Sequence, residues 1–515
     1  MDTLANSVWI ALIAALVALF VRSRGWGIAL PLLACGLVVG VLPWGPSAPN
    51  EPELIQVLVL APLVFGEALS SSYVDLKSVR RPVFALAVGL VAVSTLAIGG
   101  LTSVLLPAIP AAMALALGAI LAPTDAVVVA SAARRANLPP RLVTILEGES
   151  LLNDGTGLTA LRVATLAALA GSVSGGQAAY LLSQTVALGV AFGLFGGWLL
   201  VLLLRRSADV AGHGAVLLVA PVPLYLSAET AGGSGILAVV LAALMASHAT
   251  YADPAYEGRL QVTAVWRAIT VLLQALAFFL LGLELPASLR QLSASDRATL
   301  WWAVPAIVAG LIVVRMVVVW AAFGLSRLTG FDTPRRWSGA TLVGWAGARG
   351  PVSALAAFSL PLALPARDVV VAAALLAVAV TLLLSTTLTP LARLLKIQSS
   401  DTGAVESRLR LAMAQAALSK LDSATAEADR RDEPFPAMAI AALRTATVDR
   451  VGVSKGSVTR QGHERVRALQ VEMFEAEQRE LQRLRSEKEL PDSAVRPLLA
   501  EVDRRLAAVR NTGTG

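Results

Sequence analysis

LEGESLLNDGTGLTALR, residues 146–162, places Glu147, Glu149, Asp154 and Arg162 inside the otherwise apolar run 140–170. Read as a helix, Ser150 and Asp154 lie four apart on one face, and Glu149 and Asn153 do the same on the adjoining face. A charged side chain at the centre of a membrane helix costs about 2.5–3.5 kcal/mol even on the most forgiving insertion scale, so each such group requires a partner or a function. The rest of the chain shows that a bilayer is the right setting. Over 515 residues it is 56% hydrophobic and only 15% charged, with a mean hydropathy of +0.71. That excludes an ordinary water-soluble globular protein.

Charge is distributed in two phases. Of the chain's 35 acidic and 42 basic residues, 18 acidic and 19 basic fall from Asp401 onward, so the composition predicts a membrane domain over 1–397 followed by a soluble tail over 398–515. Apolar stretches of about 20 residues predict helices near 5–22, 26–44, 53–72, 82–106, 111–133, 140–170, 177–204, 213–230, 234–250, 264–285, 299–326, 337–361 and 368–395, thirteen spans in all. Loop charge supplies a check that the count does not use. Arg22 and Arg24, Lys77, Arg80 and Arg81, Arg134 and Arg135, Arg205 and Arg206, Arg335 and Arg336, and Arg393 follow odd-numbered spans, against only Arg290, Arg297 and Arg367 after even-numbered ones. The positive-inside bias then puts the N-terminus outside and the tail in the cytoplasm. No basic n-region precedes the first span, so a cleaved signal peptide is not expected. The sequence pI near 10 is topology rather than nucleic-acid binding, because no basic stripe carries interleaved aromatics. Cys35 is the lone cysteine, which excludes an intrachain disulfide and a Cys-rich metal site.

Two predicted spans are broken in sequence. The fifth reads AILAPTDAVVV and the twelfth GWAGARGPVSALA, each with Pro or Gly beside a charge at mid-membrane. Interrupted helices in corresponding halves point to an inverted-repeat transporter with its site at the midplane; the breaks alone fit a pair of ordinary Pro kinks equally well, since membrane helices tolerate Pro and Gly. Hard monovalent cations take carboxylate, hydroxyl and carbonyl oxygens; Asp154 and Ser150 supply the first two, and the fifth span adds Asp125 and the backbone carbonyls of an unwound Pro123-Thr124-Asp125. Glu67, Glu149, Arg162, Glu229, Glu284, Arg315 and Arg349 are also buried charges by position. Glu149 is the expected counter-ion of Arg349, while Arg162, Glu229, Glu284 and Arg315 are read as structural pairs whose partners spacing does not assign. DGTG at 154–157 reads Asp-Gly-Thr-Gly where an aspartic protease has Asp-Thr-Gly, and GESLL at 148–152 lacks both the closing Gly and a His base of a nucleophile elbow.

LAPLVFGEAL at 60–69, APTDAVVV at 122–129, EGESLLNDGTGLTALRVA at 147–164, SGILAVVLAAL at 234–244, FFLLGLEL at 278–285 and GWAGARGPVSALAAFSLP at 344–361 together resemble the monovalent cation/proton antiporters, in the NhaP-like branch that includes the eukaryotic sodium/proton exchangers. The resemblance implies an all-α polytopic membrane protein of about 13 transmembrane helices, with inverted repeats and two crossed unwound helices. It implies a homodimer in the cell membrane, elevator-like alternating access, and electroneutral exchange of one Na⁺ or Li⁺, or K⁺ in some members, for one H⁺, without a cofactor. Position by position it makes Asp154 the exchanging acid, Ser150, Asp125, Thr124 and Glu67 the rest of the cation site, Asn153 the Asn of an Asn-Asp pair, and Glu149 with Arg349 a core ion pair. The string FGEALSSSY around Glu67 is less regular than the family pattern, and Glu284 stands where many relatives carry Gln.

Physical chemistry points the same way. Desolvation disfavours a bare carboxylate, so a proton and a small cation compete for it. With Asn rather than a second acid at 153, one charge needs neutralising per cycle. An intramembrane aspartyl hydrolase using Asp125 and Asp154 would not need Ser150, Asn153 or a buried Arg349, and a passive channel would not couple protons. In the tail, 466–485 and 493–510 read as two amphipathic helices broken at Leu490-Pro491-Asp492, an αα-hairpin, with 451–463 as a linker.

Overall fold

A computed structural model describes residues 2–42, 56–125, 128–129, 138–171, 175–206, 210–252, 256–328, 337–395, 402–431, 435–449, 460–486 and 491–511. Every regular element among them is helical. The chain divides into two compact units, Met1–Ser247 with Ala264–Gln398, and His248–Thr263 with Ser399–Gly515.

In the first unit, α1 (Asp2–Ser23) and α2 (Ala29–Val41) are followed by a π-turn at Gln56–Leu60 that runs into α3 (Ala61–Ser70). After the short α4 (Tyr73–Ser78) comes α5 (Arg80–Leu105), then α6 (Ala111–Leu121), α7 (Pro140–Ala170) and α8 (Gly175–Arg206). The eighth predicted span is two helices, α9 (Val210–Val219) and α10 (Pro221–Thr230), because Pro221 cannot donate to the preceding turn. α11 (Gly235–Ala252), α12 (Tyr256–Gln291) and α13 (Ala294–Leu328) are long; α14 (Trp337–Trp345) and α15 (Pro351–Phe358) are short, and α16 (Arg367–Ser385) with α17 (Leu388–Leu394) closes the unit. Arg80–Leu105, Gly175–Arg206, Gln261–Gln291, Ala294–Gly324 and Arg367–Ser385 are each long and apolar enough to cross a bilayer. Val8–Ser23, Ala29–Val41, Val57–Ser70, Ala111–Leu121 and Gly235–Thr250 are shorter apolar helices.

These helices turn apolar faces both ways. Met113, Leu117, Phe278, Phe279, Leu375 and Val378 are buried in one contiguous core, whereas Leu96, Val104, Phe195, Trp198 and Val313 stand exposed, which suits helices with lipid on one side and neighbours on the other. Small residues let backbones touch. A methyl on Gly36 would strike the Phe279 carbonyl, and one on Gly282 the Leu33 carbonyl, so α2 and α12 pack at backbone distance. α6 lies against α5 and α7, and α16 against α6, α13 and α15; this group surrounds the broken segments.

The second unit holds α18 (Thr402–Arg430), α19 (Ala437–Asp449), α20 (Arg460–Ser486) and α21 (Asp492–Asn511). The expected pair of amphipathic helices is present, but two more pack with it. Leu409 and Met413 of α18 join Leu481, Val495, Leu498, Leu499, Val502 and Leu506 in one core, and Ala417, Leu421, Leu443, Leu469 and Met473 form another. Of the expected linker, 451–459 lie outside the described residues, and 460–463 already belong to α20. Asp492, fully buried, accepts Arg485 Nε at 2.7 Å and Arg496 Nε at 2.9 Å, so its charge is matched from two directions.

Candidate functional site

α6 ends at Leu121 because Pro123 has no N–H to extend it. The chain is non-helical at Pro123, Thr124 and Asp125, and resumes helical geometry at Val128, whose N–H donates to Asp125 Oδ1 at 2.9 Å. Asp125 thus fills the position of an N-cap. The twelfth span breaks in the same way: α14 stops at Trp345, residues 346–350 are non-helical, and Pro351 opens α15 at the helix position where its missing N–H costs nothing. The two breaks touch. Asp125 N–H donates to the Ala348 carbonyl at 2.9 Å, and a methyl on Gly350 would collide with the Asp125 carboxylate, so only glycine permits this approach.

Next to that contact lies a small cleft lined by Glu67, Pro123, Thr124, Asp125, Asp154, Gly350 and Ser353, among others. Three carboxylates therefore reach it from three segments: Glu67 from α3, Asp125 from the first break and Asp154 from the middle of α7. Thr124 Oγ1 and Ser150 Oγ lie 2.9 Å apart, and Asn153 Nδ2 donates to Thr124 Oγ1 at 3.0 Å. These two bonds tie the first break to the α7 face that Ser150 and Asp154 share, and they employ the Thr124 side chain. Asp154 is only 4% exposed, yet among the described residues no protein group donates a hydrogen bond to its carboxylate. No cluster of three His, Cys, Asp or Glu side chains close enough to hold a resident metal ion occurs among the described residues; the cleft is a mixed oxygen site lined by carboxylates and hydroxyls.

One expected pairing is corrected. Glu149 binds Arg315, not Arg349: Arg315 Nη1 and Nη2 grip both carboxylate oxygens, the second at 2.8 Å, and Arg315 Nε donates to the Val343 carbonyl at 3.1 Å. Both side chains are essentially inaccessible, and the fork-to-fork pair matches the buried carboxylate to a single guanidinium. Arg349 instead serves backbone. Its Nε donates to the Leu121 carbonyl at 2.7 Å, Nη1 donates to the Gly347 carbonyl, and its N–H donates to Thr381 Oγ1 at 3.2 Å. The break in α6 leaves carbonyls at a helix C-terminus, where a cation is favoured by the dipole. Of the charges left unassigned by spacing, Arg162 pairs with Glu229 at 2.9 Å and also donates to the Gly233 carbonyl at 2.7 Å.

Gln274 was missed. It is buried on α12 and donates from Nε2 to Glu67 Oε1 at 3.3 Å. The signal was a single amide in the apolar stretch TVLLQALAFFLL, at four-residue steps from Thr270 and Trp266. Ser353, a further hydroxyl on the cleft, was also unmarked.

Residues 8–394 match the family described as sodium/hydrogen exchanger, transmembrane. The chain belongs to that family. It is a family of transporters rather than enzymes. This exchanger-family chain is 31% identical over 388 residues to the sodium, potassium, lithium and rubidium/H(+) antiporter of Bacillus pumilus, a match covering 71% of this chain and 57% of that one. To the antiporter of the same description from Bacillus subtilis it is 36% identical over 271 residues, 50% of this chain and 40% of the other; the chain thus spans about half the length of these relatives. Its fold resembles that of the sodium proton antiporter MjNhaP1 from Methanocaldococcus jannaschii, with a TM-score of 0.60 and 20% identity over 76% of this chain and 99% of that one.

Proposed function

We propose that the chain is a secondary transporter that exchanges Na⁺, or Li⁺, for H⁺ across the cell membrane, one for one and without net charge movement. The observation that carries this reading is the Asp154 carboxylate, buried on a cleft with two other acids and two hydroxyls nearby and bonded by no described protein donor. A carboxylate already satisfied by the protein gains little from cargo; a bare one withdrawn from water is stabilised by whichever positive partner arrives. Asp154 is the acid that alternates between proton and cation. Ser150, Asp125, Thr124 and Glu67 complete the cation's oxygen set, while Asn153, Glu149 and Arg349 maintain the framework. Asn153 leaves one charge to neutralise per cycle, which favours electroneutral stoichiometry.

The contact between the two broken segments supports two crossed helices in inverted repeats, and with them elevator-like movement of one helix group past another in a homodimer. Residues 1–397 carry the exchange with the N-terminus outside, and 398–515 form a cytoplasmic tail. The activity serves pH and sodium homeostasis. A second reading, K⁺/H⁺ exchange, is favoured by the inclusion of potassium in the description of both Bacillus relatives; selection between the two ions rests on cage size and rigidity. Isotopic Na⁺ uptake into proteoliposomes under an imposed pH gradient tests the proposal. Uptake that accumulates Na⁺ against its own gradient and stops with a protonophore is expected; downhill flux indifferent to the pH gradient would make the protein a channel.

A further inference from the structure

Glu67 differs from the other two acids in how it is held. Asp125 is fixed by its own break, through Val128 and Ala348, and Asp154 belongs to α7. Glu67 enters from α3, and successive residues there dock on one face of α12. The Phe65 and Trp266 rings pack at 5.0 Å; Gly66 lies so close to Thr270 Oγ1 and Trp266 that a methyl there would not fit; and Gln274 Nε2 bonds Glu67 Oε1 at 3.3 Å. Trp266, Thr270 and Gln274 stand one helical turn apart from one another. Gln274 is 3% exposed, and among the described residues Glu67 Oε1 is its only hydrogen-bond partner. A buried amide with a single partner is there at a desolvation cost that the bond must offset.

We infer that Gln274 is a positioning residue that sets the affinity and selectivity of the cleft by holding Glu67 as a one-oxygen ligand. With Oε1 engaged by the amide, Oε2 is the oxygen left for the cleft, and it takes no hydrogen bond among the described residues. A carboxylate free to swing can bind a cation through both oxygens, which suits a larger ion and a higher coordination number. One pinned by an amide offers a single oxygen at a set place, and ligand number and flexibility decide between ions of one charge class. Gln274 acts through Glu67 and does not itself line the cleft. This inference rests on the cation/proton exchange reading above.

The test is a double-mutant cycle with Gln274→Met, which keeps length and volume but removes the donor, and Glu67→Gln. The full chain is reconstituted, with unfolding midpoints measured first to show that each variant is folded. Gln274→Met is expected to raise the apparent KM for Na⁺ about tenfold, the worth of one hydrogen bond to a charged group. The maximal rate should stay within about twofold of wild type, since the acid that exchanges ions is untouched. The ratio of KM values for K⁺ and Na⁺ should shrink. In the Glu67→Gln background the second substitution should change little, because the charged carboxylate that Gln274 positions is gone even though the amide oxygen can still accept its bond. An equal factor in both backgrounds, or a loss of maximal rate at unchanged KM, would overturn the inference and make Gln274 a packing residue. Cation-dependent thermal stabilisation of the solubilised variants supplies the same cycle from binding alone. If wild type binds Na⁺ but moves no protons, the exchange reading fails while the binding cycle still decides the role of Gln274.

Discussion

Ser150 and Asp154 share one face of α7, but the structure treats them differently: Ser150 is bonded through Thr124 to Asn153, and Asp154 is left bare. Their substitutions should therefore fail differently. Asp154→Asn is expected to abolish cation-driven proton movement, whereas Ser150→Ala should raise the apparent KM about tenfold with a smaller loss of maximal rate, as removal of one neutral ligand implies. The two arginines also part company. Arg315→Met strands the Glu149 carboxylate in the core and should cost about 3–5 kcal/mol of stability, the usual penalty for halving a buried pair. Arg349→Met leaves carbonyls rather than a charge without a partner and should cost less; thermal unfolding of the two variants side by side checks the order. The need for a counter-ion at Glu149 was readable from sequence, since a charge in hydrocarbon needs one. Its identity was not, because helical spacing assigns a face but not the neighbouring helix, and Arg315 and Arg349 were equally placed by hydropathy.

The breaks in the fifth and twelfth spans were legible because Pro acts locally: Pro123 stops α6 and Pro351 starts α15 by its own covalent geometry. What the strings did not reveal is how closely the breaks approach. Gly350→Ala should abolish transport, since the added methyl displaces the Asp125 carboxylate and with it the Ala348 bond; unimpaired exchange in that variant would show that the contact is dispensable. Gln274 was illegible for the opposite reason, as its meaning depends on α3 docking against α12. In the tail, amphipathic period announced α20 and α21, while the packing of α18 and α19 required tertiary knowledge. Burial on α20 raises Glu477 from 4.5 to about 7, with Arg505 opposing the shift and Glu501 adding to it. Below pH 4.5 the carboxyl is protonated whether folded or not. As pH rises from there to about 7 the unfolded chain gives up its proton first, so tail stability falls across that window and then levels off. Amide exchange in α20 and α21 of the full chain, corrected for intrinsic rates, should show this loss, and Glu477→Gln should flatten it.

At the scale of the molecule, composition separated two phases, and the structure divides the chain at Gln398 and Ser399 while also assigning His248–Thr263 to the second unit. No hydropathy window marks that segment, because it lies at the ends of two long helices. Every interval expected to span the membrane contains helix among its described residues; among those residues, length and apolarity alone qualify five helices as spans, and α6, α14 and α15 are short because they stop or start at the breaks that build the site. A membrane protein cannot interrupt its helices in lipid without satisfying the freed backbone, and here Arg349, Asp125 and Thr381 do so. The central claim is that Asp154 exchanges a monovalent cation for a proton. The most direct test is dissipation of a pH gradient in proteoliposomes on adding Na⁺, Li⁺ or K⁺ separately, with and without a valinomycin clamp, for wild type and Asp154→Asn. The account predicts collapse in wild type only, unaffected by voltage, with the responding ion naming the substrate. Retention of the gradient by folded wild type, both with and without residues 401–515, or equal collapse in Asp154→Asn, would contradict it.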